Sequence, residues 1–542
     1  EVKFGTKGIK PLLRNDYDNV IKKLKSSGFE VVNGNSNGDY YLRINCEFLD
    51  STTGRFKLSD IVRTEIKGLH AIQEYCKSND IKSLYASNPV AVTFIHKKPG
   101  VINKERVYPV DFDDFNFRVA YQTEEKINQG LKTFMMENWR KSKKEFRLLN
   151  RVSFEHPDYP FIVDISIAKF GNRGPDKFGR ENRGQMIRVY TLDESNIFNN
   201  PEVYEIEIEI DNGRIGPSTE FNSPKLIADA LRKVVKYVLS GLQGTNYPVS
   251  YPEQKHISTS YMRMIWKDEY DETKFISSKN FIGPNSITLQ LKNIAPIDEN
   301  STEPNIRKGF VVTEKADGER HLMFISNEGK VYLINTNMDV IFTGAKTQNK
   351  ECFNAILDGE LIAHDKNGKF INLYAAFDIY YIKNQDVRAY SFMLPEKETD
   401  IYKSRYQLLK YVEHNLKLIS IVNTTATDKP TKTTAKETVS QYKEREILSP
   451  IGFSVKEFFP NSPNQSIFDG CNTILQKERQ NRFEYTTDGL IFTHAFCGVG
   501  SNEIGKAGPK MKITWDQSFK WKPPQYNTID FLVTTVKASN GD

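Results

Sequence analysis

The 542-residue sequence has no apolar run of membrane-spanning length, and its first residues do not read as a signal peptide. Cysteine is scarce. The five present (Cys46, Cys76, Cys352, Cys471 and Cys497) are scattered, and none forms a C-x-x-C pair. Neither a zinc knuckle nor a disulfide framework is therefore indicated, and a reducing compartment such as the cytoplasm is expected. No internal repeat is evident. There is no initiator methionine at Glu1, where the chain opens inside what reads as a strand, so residues upstream are expected. What is present is ordinary for a soluble globular chain: 38% hydrophobic and 27% charged residues. The length exceeds one ordinary core, which predicts two or three domains. A net charge of +6 and a pI near 8.7 are mildly basic and fit many partners, nucleic acid among them.

Two kinds of text alternate in what reads overall as an α+β chain. Over residues 1–243 short strands carry charged residues at every second position, for example 117–121, 146–155, 161–168 and 203–210, with a helix over 16–27. Antiparallel strands at this spacing predict a sheet closed into a barrel. A helix over 226–242 follows, then a linker over 243–254 that contains Pro248 and Pro252. From about Lys255 the pattern becomes mixed α and β, with strands near Phe310, Val331, Ile356, Ala375, Gly489 and Phe519. The Thr- and Lys-rich stretch 423–440 reads as a surface loop. The Gly-rich basic stretch 171–184 reads either as a solvated loop or as an RNA contact.

Five short blocks carry the main chemistry, in this order: EKADGER (314–320), ILDGELI (356–362), AFDI (376–379), TDGLIF (487–492) and FKWKP (519–523). A lone K-x-D-G recurs by chance, and each acid alone reads as a surface charge or a turn; the ordered set does not. A lysine such as Lys315 attacks an α-phosphate only when its amine is neutral, which nearby cations such as Arg320 promote. Gly318 allows a tight turn beside a substrate. Asp358 and Glu360 lie two apart on a strand and share a face, which suits Glu360 to a ribose or a metal. Asp488 opens a strand, where its carboxylate can hold a metal on the transferring phosphate. Lys520 and Lys522 flank Trp521, so both ammonium groups can face that phosphate.

A second constellation is acidic. YEIEIEID (204–211) puts Glu205, Glu207 and Glu209 on one strand face, a row that is costly unless a divalent metal neutralises it. Arg118, Arg147 and Arg151 recur at the same period with Glu155, and the strand over 163–169 adds Asp164, with Lys169 joining if a bulge turns it inward. The competing reading is the solvated face of an antiparallel sheet.

The five ordered blocks resemble those of the covalent nucleotidyltransferases, which comprise mRNA guanylyltransferases and the ATP- or NAD-dependent ligases. Asp488-Gly489 in the fourth block, FKWKP in the fifth and FIGPNSITL (281–289) upstream resemble the capping branch. The resemblance implies a covalent GMP on Lys315, and a nucleotide surrounded by Glu314, Asp317, Gly318, Glu360 and Phe377, with Phe377 stacked on guanine. Arg320, Lys520 and Lys522 would be catalytic, and Arg405 would lie near the site. EVKFGT (1–6), the first helix and the acid row resemble the tunnel-type, metal-dependent RNA 5′-triphosphatases of giant-virus capping enzymes. That implies a metal set of Glu1, Glu205, Glu207 and Glu209, with Asp488 in the other half, and Arg118, Arg147, Arg151 and Lys169 on the triphosphate.

The implied architecture is an N-terminal antiparallel β-tunnel (1–243), a mixed α/β nucleotidyltransferase domain (244–526) and the start of an OB-fold (527–542), whose remainder lies outside this sequence. The implied substrates are GTP and 5′-triphosphate RNA. The implied metal is Mg2+ or Mn2+, and a small methyltransferase-stimulating subunit or RNA polymerase would be a further partner, in the host cytoplasm or virion, with no membrane involved. An ATP-dependent RNA or DNA ligase and a catalytically silent RNA-binding scaffold are the alternatives.

Overall fold

The computed structural model describes all residues except 6–9, 50–55, 177, 181–183, 395–403, 423–447, 463–464, 527–530 and 535–542. The Thr- and Lys-rich stretch, part of the basic Gly-rich stretch and most of the expected OB-fold start therefore lie outside the described residues. Contacts divide the chain into two compact units, Glu1–Tyr251 and Pro252–Asp542. Both mix helices with mainly antiparallel sheets, and no described helix is long and apolar enough to cross a membrane.

In the first unit one antiparallel sheet runs in the order Gln122–Lys126, Val92–Pro99, Phe56–Lys67, Asp39–Leu49, Lys144–His156, Tyr159–Phe170, Val203–Ile210, Val2–Phe4, Phe117–Val119, Val110–Phe112. Phe117–Val119 and Gln122–Lys126 are successive parts of one stretch of chain. That stretch pairs with Val2–Phe4 at one end of the order and with Val92–Pro99 at the other. Strand alternation sorts the side chains. On one face Val152, Phe154, Val163, Ile165, Ile206 and Ile208 pack under the helices Arg14–Ser26 and Pro224–Gln243, which contribute Val20, Leu24, Val234 and Val238. Further along, Leu42, Ile44, Ile66 and Phe146 pack with Ile72, Tyr75 and Trp139 from other helical segments. The opposite face carries the ionised residues.

The region read as a linker is partly helical: Tyr251–Trp266 is a helix. Pro252 is its second residue, where a missing backbone N–H costs no hydrogen bond, so the proline that suggests a linker is compatible with a helix start.

Among its described residues the second unit holds two sheets. One runs Asn285–Thr288, Thr514–Trp521, Thr487–His494, Phe310–Ala316, Phe459–Pro460. The other runs Gln385–Asp386, Phe370–Ile382, Ala355–His364, Glu319–Ile325, Lys330–Asn335, Val340–Lys346, Ile419–Ser420, with Gly452–Val455 alongside Phe370–Ile382. The main core joins Val311 of the first sheet to Met323, Leu333, Leu357 and Ile379 of the second and to Leu409 and Val412 of the helix Arg405–Asn415. Asp317 and Gly318 are the two residues by which the chain leaves one sheet and enters the other. The K-x-D-G block therefore lies at the seam.

Candidate active sites

Lys315 occupies a break in a ladder. Phe310–Glu314 pair in register with His494–Leu490, but the next pair is Ala316 with Thr487, so Lys315 is skipped opposite Asp488 and Gly489. A bulged residue escapes the ladder and can be re-aimed. Lys315 Nζ lies 2.7 Å from Asp488 Oδ1, and Lys522 Nζ lies 2.6 Å from Oδ2 of the same carboxylate. Burial pushes the Asp488 carboxyl up, but hydrogen bonds and charge from Lys315 and Lys522 outweigh it and hold the group below its ordinary value. Gly489 has φ near +147°, and a Cβ there would fall 2.0 Å from the Trp521 carbonyl oxygen. Only glycine lets the strands carrying Asp488 and Lys522 come this close. Lys520 is exposed and, two residues before Lys522, forms no ion pair among the described residues.

Arg320 enters from the second sheet. Its Nε and Nη2 donate to Asp358 at 3.1 and 2.5 Å, and its Nη1 to the Pro284 carbonyl at 2.9 Å. The rings of Phe281 and Phe377 lie 5.4 and 5.6 Å from its guanidinium carbon. Asp358 is fully buried and also accepts from the Tyr380 hydroxyl at 2.5 Å. Glu360 stands directly across the ladder from Arg320, and its Oε2 is buried without a hydrogen-bond partner. Gly318 packs against Glu360 and Leu361. Asp317 is exposed and tied by its amide to the Thr486 carbonyl, 2.9 Å away.

In the first unit, directly opposed residues share a face. One row joins Asp164, Glu207, Lys3 and Arg118, and another joins Arg151, Ser166 and Glu205. Carboxylate oxygens of Glu1, Glu207 and Glu209 all lie within 4.8 Å of one another. Glu207 is paired with Lys3 at 3.1 Å and Arg151 at 2.9 Å. Burial alone would raise its carboxyl, but Lys3, Arg151 and Arg147 pull it down to about 2. Glu209 has no ion pair among the described residues. Burial and the neighbouring Asp164 raise its carboxyl above the ordinary value despite Arg151. Three close carboxylates, one short of cationic partners, form a hard oxygen donor set that fits a divalent cation such as Mg2+ or Mn2+.

Residues 248–524 match the family model described as mRNA capping enzyme, catalytic domain. The chain belongs to this family. Among individual proteins, the chain is similar to a probable mRNA-capping enzyme of Acanthamoeba polyphaga mimivirus, at 26% identity over 362 residues, which covers 63% of this chain and 27% of that protein. It is also similar to the mRNA-capping enzymes of Danio rerio and Mus musculus. The identities are 26% over 265 residues and 24% over 267, each covering 47% of this chain and 35% of the relative. The chain thus spans about a quarter to a third of the length of these relatives.

Several expectations about this capping-family chain need correction. Lys169 does not turn inward. The register runs unbroken from Arg147↔Phe170 to Glu155↔Ile162, which places Lys169 beside Leu148, opposite in sense to Asp164, with its ammonium on the Phe198 carbonyl at 2.9 Å. Glu205 does not join the acid trio, and its carboxylate is paired with the Arg147 guanidinium. Arg118 does stand on the charged face, across from Lys3, and is bound there to Asp111 at 2.7 Å.

In the second unit Glu314 is buried, and its two oxygens accept from the Tyr485 and Thr313 hydroxyls, both at 2.8 Å. Arg405 is a core strut, fully buried on Asp378 at 2.8 Å. The sequence reading also missed Lys456. Its buried ammonium lies 5.5 Å from the Phe377 ring centre and donates to the Glu314 carbonyl at 3.4 Å. The available signal was a lone lysine between Val455 and the aromatic pair Phe458 and Phe459.

Proposed function

We propose that the second unit transfers GMP from GTP to an RNA 5′ end through Lys315, and that the first removes the γ-phosphate of 5′-triphosphate RNA. The observation that carries the first part is the Lys315–Asp488–Lys522 cluster at the ladder break. Lys315 Nζ attacks the α-phosphorus of GTP. A P–N bond forms, the bond to the bridging oxygen breaks, and pyrophosphate leaves. The proton lost from Nζ has a carboxylate within hydrogen-bond reach at Asp488. An oxygen of the RNA 5′-diphosphate then attacks the same phosphorus, and the P–N bond breaks to restore Lys315. Lys520 and Lys522 stabilise charge on the phosphoryl oxygens. Glu360, with its unpartnered oxygen, accepts from a nucleotide hydroxyl, and Phe377 packs on the guanine.

In the first unit, Glu1, Glu207 and Glu209 would hold Mg2+ or Mn2+, which when bound neutralises phosphate charge and lowers the pKa of water. Arg151 and Arg147 orient the triphosphate oxygens along the charged face of a tunnel closed by the shared stretch 117–126. The similarity to the mimivirus protein is longer than the family match and so extends beyond it, which supports an assignment that includes this unit.

Incubation with labelled GTP or ATP and Mg2+ tests the reading. A GMP adduct on the parent, absent from Lys315→Ala while triphosphatase activity persists, is expected. An AMP adduct would make the chain a ligase, and no adduct would make it a scaffold.

A further inference from the structure

We propose that Tyr380 is a positioning residue for guanylyl transfer, acting through Asp358 to keep Arg320 away from Glu360. The proposal rests on the guanylyltransferase reading of this unit. Arg320 has two carboxylates in reach. Its directly opposed neighbour across the ladder is Glu360, whereas Asp358 is opposed to Leu322. Directly opposed side chains are the closer pair, so a guanidinium choosing by spacing alone would go to Glu360. It goes instead to Asp358, diagonally, with two hydrogen bonds at 3.1 and 2.5 Å, and the Glu360 Oε2 atom is left buried and unpartnered.

The surroundings explain the choice. Asp358 has no solvent exposure, so its charge must be met within the protein. The Tyr380 hydroxyl, itself buried, donates to Oδ2 at 2.5 Å and fixes the rotation of the carboxylate, so that both oxygens face the guanidinium in the two-pronged geometry arginine favours. The Pro284 carbonyl holds the third nitrogen at 2.9 Å. Gly283 closes the arrangement from the other side: a Cβ there would fall 2.6 Å from Arg320 Nη2 and 2.9 Å from Asp358 Oδ2. Among the described residues no hydrogen bond joins Tyr380 to Lys315 or to Glu360. Its effect on chemistry passes through the pair it orients, and the Glu360 oxygen stays available to a substrate hydroxyl because Arg320 is engaged elsewhere.

GMP-adduct kinetics test the assignment. Tyr380→Phe removes the hydroxyl and keeps the ring. It is expected to raise the GTP KM about tenfold while kcat stays within about twofold, because ground-state holding of the nucleotide is what it loosens. Glu360→Gln is expected to raise KM as well, and Tyr380→Phe/Glu360→Gln to raise it no further than the larger single effect, since both act on one oxygen. Gly283→Ala displaces the same Arg320–Asp358 pair without removing a donor and is expected to reproduce the KM rise. It carries the test if Tyr380→Phe does not fold. A folded Tyr380→Phe with the parental KM, or with a lower melting temperature and unchanged kinetics, overturns the proposal, as does an additive double variant. A parent that forms no GMP adduct refutes the guanylyltransferase reading instead.

Discussion

Glu207 and Glu209 sit two residues apart on one strand face, yet removing their charges should change stability in opposite directions. Glu207 is nearly enclosed and held by Lys3 and Arg151, with its carboxyl down to about 2 from an ordinary 4.5. At about 1.4 kcal/mol per pKa unit, that depression represents about 3 kcal/mol of stability at neutral pH. The sign follows from the direction. A depressed carboxyl contributes fully above pH 4.5 and loses its contribution as pH falls towards 2. Glu207→Gln leaves Arg151 with Asp164 and Lys3 with Glu1, so the measured loss should be about 2–3 kcal/mol. For a unit of this size that lowers its melting temperature by about 5–10 °C. Glu209 is the reverse case. Its carboxyl is raised, so its charge opposes folding at neutral pH, and Glu209→Gln should stabilise the metal-free protein.

Scanning calorimetry of the full chain, first in chelator and then with Mn2+, separates the two. In chelator Glu207→Gln melts lower and Glu209→Gln higher than the parent; Mn2+ raises the parent and neither variant to the same extent. Below pH 4.5 the gap between parent and Glu207→Gln narrows. A Glu209→Gln protein destabilised in chelator as much as Glu207→Gln, or an undiminished Mn2+ gain in either variant, would refute the reasoning.

Three further outcomes are expected. GTP should exceed ATP in adduct yield by at least about a hundredfold, because a site that hydrogen-bonds one base edge leaves polar groups unpaired with the other; comparable yields in a labelling gel would contradict this. Asp488→Asn should remove most adduct formation and cost the second unit about 2 kcal/mol, the net worth of its charge-assisted hydrogen bonds to Lys315 and Lys522. That contribution is present above pH 3.8 and lost below it, as a thermal melt across pH would show. Gly489→Ala should destabilise by at least about 3 kcal/mol, since φ near +147° and a carbonyl 2.0 Å away leave the methyl no room; a parental melting curve would count against the ladder geometry.

The legible part of the molecule was what lies close together in the chain. The strands Val203–Ile210, Lys144–His156 and Tyr159–Phe170 show their alternation directly, and the five blocks place Lys315, Asp488 and Lys522 in one cluster because each block carries its own turn or strand. What escaped depends on register or distance. An inward Lys169 needed a bulge, and period-two alternation continues through that position instead. Lys456 and Tyr485 reach Glu314 from 142 and 171 residues away, and nothing local marks them. The choice of Arg320 between two carboxylates was equally hidden, because it turns on Tyr380 and Gly283 from separate strands and loops.

The strand Val2–Phe4 is hydrogen-bonded between Phe117–Val119 on one side and Val203–Ile210 on the other, with Val2 facing both Val119 and Ile208. A ribosome makes this segment some two hundred residues before its second partner. For most of the unit's synthesis the seam therefore stands open, with apolar Val2 and Phe4 and the acid-bearing edge exposed to the solution. Contacts this distant in sequence form slowly, and unpaired strand edges invite association between chains. The acidic side chains along Val203–Ile210 guard this edge while it waits, since like-charged edges repel one another until Val2–Phe4 is paired on both sides.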